Sequence, residues 1–128
     1  MTDPPDKSLD GGLSYHDALR ALAERGRFGI RMGLGRTRAL LRTLDHPDRS
    51  VGGALIAGTN GKGSVLALTD SALRAAGYHV GTTPKPHLVT YRERIQIDGR
   101  PIAPSDFARL VERVLTAADR IAPRLPVM

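Results

Sequence analysis

The chain has 128 residues, 41% hydrophobic and 25% charged, a size that suits one domain with a small core and leaves no room for a second large one. It has no cysteine, which excludes disulfides, thiolate metal sites and a cysteine nucleophile; no apolar run reaches the length needed to cross a bilayer, and a cytoplasmic protein is the compatible reading. Lys and Arg number 19 against 13 Asp and Glu, a formal charge of +6, so the partners expected are anionic, either nucleic acid or small molecules such as nucleotides.

Residues 1–13 read as a disordered lead-in, with Pro4 and Pro5 in a polar stretch. A first helix is predicted from Ser14 to Arg25, where Ser14 can cap, Asp17 answers the cap and Gly26 ends the run. Tyr15, Leu19 and Leu22 form its apolar face. Gly29, Gly33 and Gly35 space a loop, and a second helix covers about Arg36 to Leu44, closed by His46-Pro47. Residues 14–50 are thus a helical segment, and 51–128 a second region. There, Ala54 to Ala57 fits a short buried strand, Gly58 to Gly61 a turn, Lys62 to Ala76 a third helix, and Tyr78 to Gly81 a second buried strand. Strand, loop, helix and strand make a minimal parallel βαβ unit. Thr82 to Thr90 is a proline-broken loop. Arg94 to Ile97 alternates polar and apolar, Asp98-Gly99 is a hairpin signal, and Arg100 to Ile102 is the return strand. A last helix starts at Pro104 and runs to about Ile121, with Phe107, Leu110, Val111, Val114 and Leu115 as its stripe and Pro123 and Pro126 beyond it.

The chemistry concentrates in Gly58-Thr59-Asn60-Gly61-Lys62-Gly63-Ser64. A strand feeds a glycine turn and a helix starts at once, so backbone N–H groups and the positive end of the helix face one spot. Lys62 supplies a point charge for outer phosphates, and Ser64 a hydroxyl near them or near Mg2+. The loop is a shortened P-loop: Ile56 stands where the first glycine of the usual pattern belongs, and Gly63 where the hydroxyl residue belongs. A glycine-rich turn with a solvated lysine is the plain alternative.

The same seven residues resemble the ATP-binding loop of the Mur ligase superfamily, and Gly63-Ser64 resembles its folylpolyglutamate synthase and dihydrofolate synthase branch. Pro86-His87-Leu88, followed by Tyr91-Arg92-Glu93-Arg94-Ile95, is similar to that branch's Ser-Pro-His-Leu and Asn-Glu-Arg-Ile segment, and Gly33-Leu34-Gly35-Arg36 to its Gly-Leu-Glu-Arg helix start. The similarity runs from about Tyr15 to Val114. It implies an α/β fold: the start of a Mur-ligase-type P-loop ATPase domain with an incomplete sheet, residues 51–128 being a partial ATP-binding domain and the C-terminal ligase domain absent. It implies ATP and Mg2+ as cofactors, with Ser64 on the metal. The expected reaction phosphorylates a carboxylate of dihydropteroate or a folate, and the amine of L-glutamate then attacks the acyl phosphate. Lys62 would stabilise the transferring phosphoryl group. The loop from Ile30 to Arg36 and the segment from His87 to Arg94 would approach the pterin-bearing substrate, with Arg36, His87 and Arg94 binding it. A second chain supplying the missing domain is the partner this implies.

The chain departs from that family at three places. Lys85 replaces the serine that ligates magnesium in the family, and an ammonium cannot ligate a cation. Arg31 stands where many members have an acid, and Leu55 where a histidine is common. The plain readings of single residues stay beside the functional ones: His87 as a loop histidine capping backbone, Glu93 and Arg94 as a surface pair, Arg36 on a solvated helix start, Asp98 as a turn residue. A non-catalytic remnant with weak nucleotide binding and a small basic nucleic-acid-binding protein remain the rival functions, although aromatics at 4% leave few stacking platforms for single strands.

Overall fold

The computed structural model describes residues 11–26, 33–87 and 89–121. The lead-in through Asp10, the loop residues Gly29, Ile30 and Arg31, Leu88, and Pro123 with Pro126 lie outside the described residues. Contacts divide the chain into two compact units, residues 1–52 with 104–128, and residues 53–103.

The first unit is helical. Helix α1 spans Tyr15–Gly26. The Ser14 hydroxyl accepts the Asp17 amide at 3.1 Å and donates to the Asp17 carboxylate at 2.8 Å. Asp17 also meets Arg20. The Ser14 bond, ahead of the Arg20 charge, holds the Asp17 carboxyl below its ordinary range. Asp17 is therefore a capping residue, as its spacing predicts. Helix α2 spans Gly35–Thr43. Its end is a Schellman turn: Asp45 N donates to Arg42 O at 3.2 Å and His46 N to Leu41 O at 2.8 Å, with Asp45 in the left-handed region at φ 60°. Two carbonyls that a helix end leaves free are satisfied this way. Helix α4 spans Pro104–Ile121 and packs against both α1 and α2.

Among the described residues the core of this unit is Tyr15, Ala18, Phe107, Ala108, Val111 and Ala117. Tyr15 and Phe107 meet edge to face at 5.3 Å between ring centroids, a geometry that adds attraction to their burial. Three of the six are alanines, where the helices approach closely. Leu19, Leu22 and Leu110 are only half-buried, and Val114 is exposed. The expected stripe therefore holds at Phe107 and Val111, and moves towards small residues elsewhere.

The second unit holds helix α3, Lys62–Ala75, and a small sheet. Gly61 precedes α3 at φ 75°, a left-handed conformation natural to glycine. At the far end Gly77, at φ 88°, closes another Schellman turn, with Tyr78 N on Leu73 O at 3.0 Å. Strands β1 (Gly81–Thr82), β2 (Gln96–Ile97) and β3 (Arg100–Pro101) lie in the order β1-β2-β3. Asp98 and Gly99 both have positive φ, 50° and 76°, which is what a two-residue hairpin with the twist of its strands requires. The hairpin expected at Asp98-Gly99 is thus formed, and Ile102 N extends its ladder to Ile95 O at 2.9 Å.

The pairing differs from the expected parallel βαβ arrangement. Both observed ladders are antiparallel, and the chain after α3 enters the sheet at Gly81, not Tyr78. Residues 54–57 form no ladder among the described residues, and Leu55 is 93% exposed. A buried parallel strand needs neighbours on both edges and helices on both faces, and residues 53–103 supply neither for it. For the same reason Val65 and Leu68 of α3 stay exposed.

Candidate nucleotide-binding site

Residues 58–64 form one exposed turn at the start of α3. Gly58 and Gly61 hold positive φ angles of 153° and 75°, which folds the chain back over the helix end. The first intrahelical bond is Val65 N to Gly61 O at 2.9 Å. The amides of Lys62, Gly63 and Ser64 precede it, belong to the set a helix start cannot satisfy internally, and have no side-chain cap at Gly61. A side chain built at Gly63 would meet no protein atom within 4 Å, so the approach to these amides is open. Lys62 Nζ donates to Gly58 O at 2.6 Å and Thr59 O at 3.0 Å. Its ammonium is therefore folded over the loop and held only by neutral carbonyls, which an anion with full charges can replace. All seven residues named from the sequence, Gly58, Thr59, Asn60, Gly61, Lys62, Gly63 and Ser64, sit in this one turn.

A second cluster lies in the same unit. Arg94 Nε donates to His87 Nδ1 at 2.8 Å, so that ring nitrogen accepts and Nε2 carries the proton in the neutral ring. The Arg94 guanidinium stands 4.8 Å from the Tyr91 ring centroid, and the His87 and Tyr91 rings are 5.3 Å apart. His87 and Arg94 are thus brought together. The spacing of His87, Tyr91 and Arg94, four and then three residues, is the signal that brings in Tyr91, which sequence reading missed.

Glu93 does not pair with Arg94. Its Oε1 accepts the amides of Val89 and Thr90 at 2.9 and 2.8 Å, in a capping box that opens the 3₁₀ turn Tyr91–Arg94. The Thr-x-x-Glu spacing carries this signature, and the reason is local: two free amides outbid a neighbour already bound to an imidazole. Glu93→Ala should destabilise the unit by about 1 kcal/mol, the usual cost of losing a cap, and loosen the His87–Arg94 contact; thermal melting and the His87 ring signals in NMR check this, with Glu93→Gln falling between. Arg36, the remaining expected substrate residue, is exposed in the first turn of α2 and belongs to the other compact unit.

Asp98 does more than turn the chain. Its Oδ1 accepts Val80 N at 2.8 Å, and its Oδ2 faces His79 Nδ1 at 3.0 Å. The hydrogen bond to Asp98, then its charge, raises His79 above the ordinary 6.5, and the bond from His79, then the Val80 amide, lowers Asp98 below 3.8. A raised histidine contributes fully below pH 6.5 and loses its contribution as pH rises through the new value; a lowered aspartate contributes above pH 3.8 and loses it as pH falls through its own. The tether between residues 79–80 and the hairpin is therefore strongest between those limits. An NMR titration should show the His79 ring titrating above its ordinary value, and returning to it in Asp98→Asn.

The fit of a magnesium ion can be judged from the donors. Among the described residues no three His, Asp or Glu side chains gather as a metal set. Ser64 offers one exposed hydroxyl. The carboxylates of residues 53–103 are held elsewhere: Asp70 by Arg74 at 3.0 Å, Glu93 by its two amides, and Asp98 by His79 and Val80. The donor set does not fit the ion that the resemblance implies at Ser64.

No family model matches the chain. Dihydrofolate synthase/folylpolyglutamate synthase of Bacillus subtilis is 41% identical over 101 residues, covering 79% of this chain and 24% of that protein. Mycobacterium tuberculosis folylpolyglutamate synthase complexed with ADP superposes with a TM-score of 0.71 at 34% identity, over 89% of this chain and 27% of that one. The chain belongs to the folylpolyglutamate synthase/dihydrofolate synthase family. An FPGS–AMPPCP–folate complex matches at a TM-score of 0.70 and 28% identity, over 86% of this chain and 27% of that one. The fold is accordingly α/β of the Mur ligase type with an incomplete sheet, and the chain spans about a quarter of the length of these family members.

Proposed function

We propose that the turn from Gly58 to Ser64 binds the phosphates of ATP, as part of an ATP-dependent ligase that joins L-glutamate to the carboxylate of dihydropteroate or a folate. The observation that carries this is Lys62 folded over a glycine turn beside three uncapped amides of a helix start. Support comes from family members that bind ADP, or AMPPCP with folate.

In this reading Lys62 exchanges its two carbonyls for phosphate oxygens, and the amides of Lys62, Gly63 and Ser64 donate to the same group. The Ser64 hydroxyl adds a donor. Transfer of the outer phosphoryl group to the acid makes an acyl phosphate. Attack by the glutamate amine then forms the amide, with ADP and phosphate released. Lys62 stays on the moving phosphoryl group as its charge develops. Arg94, with His87 as its neighbour, would receive the acid substrate. The lack of cysteine agrees with a cytoplasmic setting; no helix among the described residues is long and apolar enough to cross a membrane.

Nucleotide binding without turnover is a second reading. The exposed side chains of Leu55, Val65 and Leu68 favour it, because they are apolar groups that residues 53–103 leave uncovered. The sheet that covers them would come from the rest of a ligase, in the same or in a second chain. Calorimetric titration of ATP into the protein tests the common claim: heat at micromolar to millimolar affinity supports phosphate binding, and none from a folded chain overturns it. ADP release on adding acid and glutamate separates the two readings.

A further inference from the structure

We infer that residues 53–103 bind the nucleotide as its metal-free anion, with lysine ammonium charge in the place a divalent cation would take. This rests on the phosphate reading of Gly58–Ser64. A protein usually holds Mg2+ through one or two carboxylates in addition to the phosphates, because the ion demands octahedral oxygen ligands and gives up its waters reluctantly. The unit has three carboxylates, Asp70, Glu93 and Asp98.

None of them is free to hold an ion at Ser64. Moving Glu93 strands the amides of Val89 and Thr90. Moving Asp98 strands the Val80 amide and releases His79. Asp70 is buried, with Oδ2 on Arg74 and Oδ1 without a partner. It lies six residues along α3 from Ser64, about 9 Å of helix rise, too far to share an ion with that hydroxyl.

The cations show the opposite balance. The unit carries six lysines and arginines, Lys62, Arg74, Lys85, Arg92, Arg94 and Arg100, against those three acids. Lys62 bonds only to neutral carbonyls. Lys85 is exposed and has no hydrogen bond or ion pair among the described residues. Such a unit has unspent positive charge at and near its surface and no carboxylate placed to fix a cation at Ser64. The tetra-anion of ATP offers it more charge than the magnesium complex does.

Calorimetry with ATP in excess EDTA, and again in millimolar Mg2+, tests this on the full chain. The dissociation constant in EDTA should be equal to that in Mg2+ or lower, and Lys62→Ala should raise the EDTA value at least tenfold. Binding that appears only with Mg2+, or weakens tenfold or more in EDTA, overturns the inference and leaves the phosphate reading standing. No heat in either buffer, from a chain whose circular dichroism shows it folded, overturns both.

Discussion

Replacing Lys62 with alanine should weaken ATP binding by about 10- to 100-fold, the loss expected when a charge-assisted hydrogen bond of about 1.5–3 kcal/mol is removed. The fold should not follow. Lys62 is exposed at the first position of α3, and the two carbonyls it leaves, Gly58 O and Thr59 O, sit in an exposed turn where water replaces it. Alanine is also the better helix former. Circular dichroism and the melting temperature should therefore stay within error while the calorimetric signal falls. Lys62→Arg should retain part of the affinity, since it keeps the charge but presents a planar fork in place of a compact ammonium. An unchanged affinity in Lys62→Ala would mean that nucleotide, if bound, is held elsewhere.

Phe107→Ala should cost about 3–5 kcal/mol, the usual penalty for truncating a buried aromatic. Phe107 is 2% exposed and is the largest fully buried side chain among the described residues. Its removal also ends the edge-to-face contact with Tyr15. Among the described residues the remaining core is three alanines with Tyr15 and Val111, too small to close over the gap. A domain of this size has roughly 5–10 kcal/mol of stability in total, so most of the margin goes. Urea unfolding followed by helix content should show the midpoint drop sharply. Phe107→Leu, which keeps most of the volume, should lose less than half as much. Equal stability in Phe107→Ala and the parent would show that α1 and α4 do not share a core.

The legible parts of the sequence were those whose physics is local. Ser14 with Asp17, Gly77 after α3 and Asp98-Gly99 between β2 and β3 each specify a cap or turn within a few residues. The whole Gly58–Ser64 turn falls in this class, because seven consecutive residues make it. Pro104 marks the start of α4 for the same reason. Thr90 and Glu93 could have been read in the same way.

What lay beyond reading depended on partners distant in the chain or on competition between neighbours. The choice of Ala18, Ala108 and Ala117 over Leu19, Leu110 and Val114 for burial follows from how closely helices approach, which periodicity does not encode. Arg94 bonds to His87 and not to Glu93, because two amides had already claimed that carboxylate. Residues 54–57 have the composition of a buried strand, yet a strand forms only where another edge accepts its hydrogen bonds. Local sequence thus decided the helices, caps, hairpin and Gly58–Ser64 turn, through bonds made within a few residues; tertiary structure alone decided the core alanines, the antiparallel pairing of β1 with β2 and the His87–Arg94 contact, since each needs a surface that the residue's own segment does not provide.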